Sequence, residues 1–435
     1  MKKTIFIFSI LLLFSVFIAS CGGSEKKPVK SDNDSSDTET ADTDSDTDTD
    51  TGTNTEPTDT VSNCGNHELD EGEACDGNAM ECNMIDPSYT GGYAICKTDC
   101  SGWDMSGCQG TPTDPTDPTN PTEPTEPTDP YDAETCNQNN EGEIEDVFVI
   151  GPYTVNTIDV NSGDNGAPRQ FRIYEPTGAE GYLPIVHFVH GFMYKNTYYD
   201  DFLTHLASHG FIVVSSQSTG QALLNGVTTY DEAANVVDFI NWLKQNLQSK
   251  ISVSADFKHF GVSGHSRGGK VTNRALNINP KIATSFFGVD AVDAPAKGQE
   301  SKDPQSLQEP VQFSRESMFL GTEKGVEGTL GQACAPSGQS SDNFYANYPS
   351  PSHYIIAAGV GHADMVDPTD VSSCGMYCSA CKGSGNTTLN QQFITYTGGL
   401  MTAFFKSTLK CETQYEALLN DSSTHPFATT LTEHK

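Results

Sequence analysis

The chain has 435 residues, with 24 Lys and Arg against 58 Asp and Glu and a formal net charge of -34. That length admits more than one domain, and so acidic a chain argues against binding nucleic acid, whose affinity comes largely from Lys and Arg on phosphate. Thirteen cysteines favour an oxidising compartment.

Met1-Lys2-Lys3 is a basic start, followed over residues 4–19 by an apolar run too short to span a membrane comfortably. This is the layout of a secretory signal over residues 1–20. It ends in Ile18-Ala19-Ser20-Cys21, which resembles the bacterial lipobox. The resemblance implies cleavage before Cys21 and lipid on its thiol and new amino terminus. The protein is then expected to be an exported bacterial lipoprotein at the outer membrane or cell surface, where several acyl chains make a stable membrane anchor.

Removing Cys21 leaves twelve cysteines, an even number suited to disulfides whose pairing stays open. Cys378-Ser379-Ala380-Cys381 has no second C-x-x-C and no nearby histidine pair to complete a zinc site. Residues 21–63 are an acidic Asp/Thr/Ser linker. Positions 31–60 hold eleven acidic side chains and no basic one, so the segment buries no core and extends by self-repulsion. Its Asp-Thr alternation over 42–50 lacks the glycine turn and closing glutamate of a calcium loop.

Residues 64–108 carry six cysteines and form a small module in which disulfides replace a core. The run from Cys64 through Glu68, Glu73 and Cys75 to Asn78 resembles the cysteine-rich repeats of secreted myxobacterial-type proteins. Residues 109–130 repeat Thr-Pro with Asp or Glu, an extended polyproline-II spacer.

Residues 131–435 read as one α/β domain with a mostly parallel, doubly wound sheet. An antiparallel pair is expected over 147–159 and 170–174. A continuous apolar strand at 183–190 fits a buried parallel sheet. A helix through Phe202, Leu203 and Leu206 leads to a strand at 211–214. Ala233, Val236, Val237, Ile240, Leu243 and Leu247 recur at helical spacing. Strands follow at 257–262, 282–289, 318–320 and 354–358, and an apolar helix at 391–409 closes the pattern. His425 and His434 fall in a polar tail.

Gly264-His265-Ser266-Arg267-Gly268 lies between the strand at 257–262 and a helix start. A G-x-S-x-G in that position is a nucleophile elbow, where small neighbours let the chain turn tightly enough to expose the hydroxyl. The bland alternative is a glycine-rich turn carrying a serine by accident. The serine hydroxyl needs a base and a group that orients the base. His362, after the glycines of Gly359-Val360-Gly361, is favoured as base over His353, His425 and His434. Asp290, at the end of the strand at 282–289, is favoured as the acid, with Glu323, after the next strand, second and Asp293 one turn beyond Asp290. The oxyanion donors expected are the amides of Arg267 and of Phe192, which follows the His190-Gly191 at a strand end. Pocket walls come from the loops at 216–229 and 295–315. No metal or organic cofactor is required, and the expected partners are an ester substrate and, through Cys21, a membrane.

Four blocks carry a more specific likeness. These are Gly264 to Lys270, Gly288-Val289-Asp290-Ala291-Val292-Asp293, Ala333-Cys334-Ala335-Pro336, and Gly361-His362-Ala363-Asp364-Met365-Val366-Asp367. They resemble the successive signature blocks of chlorophyllases, whose relatives include cutinase-like and polyester-degrading hydrolases. Residues 206–214 are also similar to a block shared across that wider group. The resemblance implies an α/β-hydrolase that cleaves carboxylic esters through an acyl-enzyme, with the family's serine, aspartate and histidine at Ser266, Asp290 and His362. The alternative from another class is a catalytically idle binding or adhesion protein on the same scaffold.

Overall fold

The structure, a computed structural model, describes residues 144–218, 227–295, 300–307, 316–328, 333–374 and 376–435, with Val311, residues 134–136 and parts of 73–109. Cys21, the signal segment, the linker at 21–63, Cys64 and nearly all of the spacer at 109–130 lie outside the described residues, as do parts of both pocket loops. No helix among the described residues is long and apolar enough to cross a membrane.

Nine strands form one sheet: β1 (Thr154–Val160), β2 (Phe171–Thr177), β3 (Tyr182–Val189), β4 (Ile212–Ser216), β5 (Ser254–His265), β6 (Ser285–Val289), β7 (Glu316–Thr322), β8 (Ser352–Ala357) and β9 (Thr429–His434). Their order is β1-β2-β4-β3-β5-β6-β7-β8-β9. The six strands from β4 to β8 run parallel, while β1, β2 and β9 pair antiparallel at the two edges. The opening pair begins at Thr154 rather than 147, because residues 147–149 form a turn. The tail containing His434 is not loose: it supplies β9.

Strand side chains alternate between two covered faces, as a parallel sheet requires. Val186, Phe188, Phe287, Val289, Met318 and Leu320 pack beneath helices α1 (Asp200–Ser208) and α5 (Thr387–Leu409). Ile185, Val189, Phe286 and Phe319 face the other way, toward α2 (Thr229–Asn246), α3 (Arg267–Ile278) and α4 (Ser341–Asn347). Pro184 is tolerated in the central β3 because the ladder to β5 breaks into a bulge between Pro184 and Ile185. Helix α2 starts at a capping box in which Thr228 and Asp231 exchange bonds.

Disulfides join Cys136 to Cys411 and Cys334 to Cys381 in the large domain, and Cys75 to Cys96 and Cys82 to Cys108 in the cysteine-rich segment. Ile95 of that segment packs against the core layer beneath α2 and α3.

Candidate active site

Parallel register brings the ends of β5 and β6 side by side, with Gly264 opposite Gly288 and His265 opposite Val289. Ser266 and Asp290 are the next residues on each strand, at the carboxyl edge where α/β sheets carry their sites. Ser266 turns the chain directly from β5 into α3 at φ 56° and ψ -128°, a left-handed conformation rare for a residue with a side chain. Three backbone bonds fix it: its N–H donates to Val289 O (3.2 Å), and its carbonyl accepts from Gly269 (2.9 Å) and Val292 (3.0 Å). The flanking glycines are steric necessities. A Cβ on Gly264 would sit 2.5 Å from the Gly268 backbone, and one on Gly268 would strike the carbonyl of Val189.

His362 opens a short 3-10 turn after β8, capped by Asp364, whose Oδ2 accepts from Gly361 N (2.8 Å) and Ser384 N (2.6 Å). Its Nε2 lies 2.8 Å from Ser266 Oγ and its Nδ1 2.8 Å from Asp290 Oδ2. Both carboxylate and imidazole are nearly inaccessible, at 2% and 4% exposure. Asp290, itself at φ 40°, is held from behind by Thr322. The threonine N–H donates to Oδ1 (3.2 Å) and its hydroxyl to Oδ2 (2.8 Å).

The other acids face elsewhere. Glu323 accepts from Gly359 N (2.6 Å). Asp293 binds the loop that follows it, accepting from Ser306 N and Oγ and from Leu307 N. Among the histidines, His353 lies in β8, and His425 bonds Tyr396 and the Leu418 carbonyl. The structure thus brings together Ser266, His362 and Asp290 and leaves the alternatives apart.

Phe192 and Arg267 line one small pocket with His190, Gly191, Met193, Ser218 and Glu232. Phe192 occupies a turn closed by Tyr194 N on Gly191 O (3.2 Å), with Met193 at φ 60°. Arg267 is the first residue of α3, where amides point outward and the helix dipole favours negative charge. The Arg267 side chain turns away to pair with Glu232. His190 donates from Nδ1 to Gly191 O (2.7 Å) and accepts at Nε2 from Ser218 N (2.9 Å). Burial pushes its pKa down to about 4, so it is a neutral structural brace at neutral pH. Among the described residues no group of three His, Cys, Asp or Glu is placed to hold a metal.

Sequence reasoning passed over Thr322, Asp364 and His265. His265 and Asp364 lie inside the signature blocks and Thr322 directly before Glu323, but only the folded contacts show what each holds. Asp367, in the same block as His362, is buried with one oxygen accepting from Asp201 N (3.1 Å). Burial, with Asp201 and Asp200 nearby, pushes its pKa up to about 8.

Residues 143–435 match the chlorophyllase family. The chain is 31% identical to chlorophyllase-1 of Arabidopsis thaliana over 299 residues, covering 64% of this chain and 89% of that protein. It is 30% identical to chlorophyllase-2 of the same plant, over 56% of this chain and 78% of the other. Chlorophyllase type 0 of Chenopodium album is also 30% identical, over 66% and 86%. The matched region begins just before β1 and runs to the last residue, so it takes in the whole sheet and every residue of the site. A likeness that spans the domain and its chemistry together places this chain in the chlorophyllase family, as a carboxylic ester hydrolase of the serine α/β-hydrolase type.

Proposed function

We propose that Ser266 is the nucleophile of this esterase, His362 its general base and acid, and Asp290 the carboxylate that orients the histidine. The observation carrying this reading is the unbroken chain of two 2.8 Å contacts from Ser266 Oγ through His362 to Asp290. His362 Nε2 takes the hydroxyl proton as Oγ attacks the ester carbonyl. The oxyanion that forms is bound by the amides of Arg267 and Phe192, each worth about 2.7–4 kcal/mol in a preorganised site. The tetrahedral species collapses to an acyl-enzyme on Ser266, and His362 returns the proton to the departing alcohol. Water then attacks the acyl-enzyme by the same route. Asp290 stabilises the imidazolium formed in both halves.

The relatives' name puts chlorophyll among the esters to be tried beside short p-nitrophenyl esters, triglycerides and polyesters. We further propose that the enzyme is a lipoprotein anchored through Cys21 to the membrane facing an oxidising compartment. The lipobox-like Ile18-Ala19-Ser20-Cys21 supports this, as do ten disulfide-bonded cysteines among the described residues.

Ser266→Ala tests the core of the reading. It is expected to abolish p-nitrophenyl ester cleavage and fluorophosphonate labelling while leaving the thermal unfolding midpoint near that of the parent. Turnover at the parental rate in this variant would remove Ser266 from the mechanism.

A further inference from the structure

His265, the residue before Ser266, is fully buried and takes no part in the chemistry above. Its two ring nitrogens have different partners: Nδ1 lies 2.9 Å from Tyr199 Oη, and Nε2 lies 3.2 Å from the carbonyl oxygen of His362. Tyr199 Oη in turn lies 3.0 Å from Gly191 N. The donor directions follow from chemistry alone. The His362 carbonyl only accepts, so His265 Nε2 carries the proton. Burial, with the neighbouring His362 adding to it, drives the His265 pKa well below the usual histidine range, so the ring is neutral and Nδ1 accepts. Tyr199 therefore donates to His265, and its oxygen accepts from Gly191 N–H.

We propose that His265 and Tyr199 are positioning residues that lock the oxyanion turn to the backbone of the catalytic histidine through one directed chain, Gly191 N–H to Tyr199 to His265 to His362 C=O. The inference rests on the Ser266–His362–Asp290 reading. One end of the chain fixes Gly191, whose successor Phe192 supplies an oxyanion amide. The other fixes the main chain of His362 itself. The approach is close enough that a Cβ on Gly191 would meet His265 Nδ1 at 2.9 Å and Ser266 Cβ at 3.3 Å. The His265 ring also lies against the His362 ring at 4.6 Å between centroids, with Tyr194 stacked at 5.7 Å. The residue between Gly264 and Ser266 thus registers donor, nucleophile and base against one another.

Tyr199→Phe removes one oxygen and keeps the ring packed against Phe188 and Phe202. Because sub-ångström errors in alignment cost chemistry rather than ground-state affinity, kcat on a p-nitrophenyl ester should fall roughly ten- to hundredfold with KM within about twofold. His265→Gln, which keeps an acceptor and a donor, should retain more kcat than His265→Leu. The double variant Tyr199→Phe/His265→Leu should be no slower than His265→Leu alone, because both cut one chain. Parental kcat in Tyr199→Phe, a loss carried by KM, or multiplicative losses in the double variant would each overturn the proposal. If His265→Leu gives no cooperative melt, the kcat-against-KM split of Tyr199→Phe decides. Ser266→Ala is assayed alongside: turnover there overturns the triad and the relay together. An inactive Ser266→Ala with parental kcat in Tyr199→Phe overturns the relay alone.

Discussion

At the scale of single residues, the triad depends on two side-chain-bearing positions held at positive φ, Ser266 at 56° and Asp290 at 40°. Such conformations persist only where the surroundings over-determine them. Here the backbone bonds of Ser266 to Val289, Gly269 and Val292 do so, as does the bond from Asp290 N to Leu320 O (2.6 Å). The serine was legible in the sequence because only glycines fit beside it, and that steric demand leaves a spaced motif. The acid was less so. Asp290, Asp293 and Glu323 all follow strand ends, and a strand end says nothing of where a carboxylate points. The fold separates them: Asp290 Oδ2 meets His362 Nδ1, while Glu323 meets Gly359 N. Asp290→Asn should therefore lower kcat by roughly 10⁴-fold, because an amide favours the wrong imidazole tautomer. Glu323→Gln keeps an acceptor for Gly359 and should leave kcat within about twofold. Steady-state rates of the two variants on one p-nitrophenyl ester check this, and the reverse ranking would transfer the orienting role to Glu323.

At the scale of elements, the buried parallel strands were readable because both of their faces are apolar. Strand β9 was not: Thr429 to His434 is polar and partly exposed along its length, and it is a strand because β8 offers it an antiparallel edge. Helix α3 concealed more. Arg267, Lys270 and Arg274, spaced along one stripe, look like a solvated face in the sequence, but Lys270 and Arg274 are buried in the fold and Arg267 is half-buried. Asp303 gathers two of these cations. Its Oδ1 lies 2.9 Å from Lys270 Nζ and 3.5 Å from Arg274, and it also accepts from the Thr229 hydroxyl. This carboxylate ties the loop after β6 to helix α3, which follows Ser266, and to the start of α2. Asp303→Ala leaves buried cations uncompensated and should cost about 3–5 kcal/mol of stability. Burial alone would raise the Asp303 pKa, but Lys270, the Thr229 hydroxyl and Arg274 outweigh it and hold the folded value below the usual carboxylate range. A depressed folded pKa means that the charge-dependent stabilisation is complete above the unfolded value near 3.9 and is lost as pH falls through the folded one. The stability gap between parent and Asp303→Asn in urea melts should thus be steady from pH 7 to 5 and narrow below about pH 4. A gap unchanged at pH 3 would exclude the charge as its source.

At the scale of the whole molecule, an esterase domain of the chlorophyllase family sits at the end of a chain with features of a different kind. The domain is stapled by Cys136–Cys411 and Cys334–Cys381, which suits an oxidising compartment. The proposed anchor at Cys21 opens the acidic segment 21–63, which we propose to be a linker between anchor and enzyme. One acyl chain gives only marginal, reversible membrane binding, whereas several give stable retention that salt does not reverse. In a bacterial host that processes lipoproteins, the parent activity is therefore expected in the membrane pellet, resistant to high-salt washing and released by detergent. Cys21→Ser should move that activity to the soluble fraction with kcat unchanged, since the substitution lies far outside the domain that carries Ser266. Because the chain carries a formal net charge of -34, adhesion to anionic lipid offers no substitute for the acyl chains. Retention of Cys21→Ser in the washed pellet, with the same detergent sensitivity as the parent, would mean that another part of the chain holds the enzyme at the membrane.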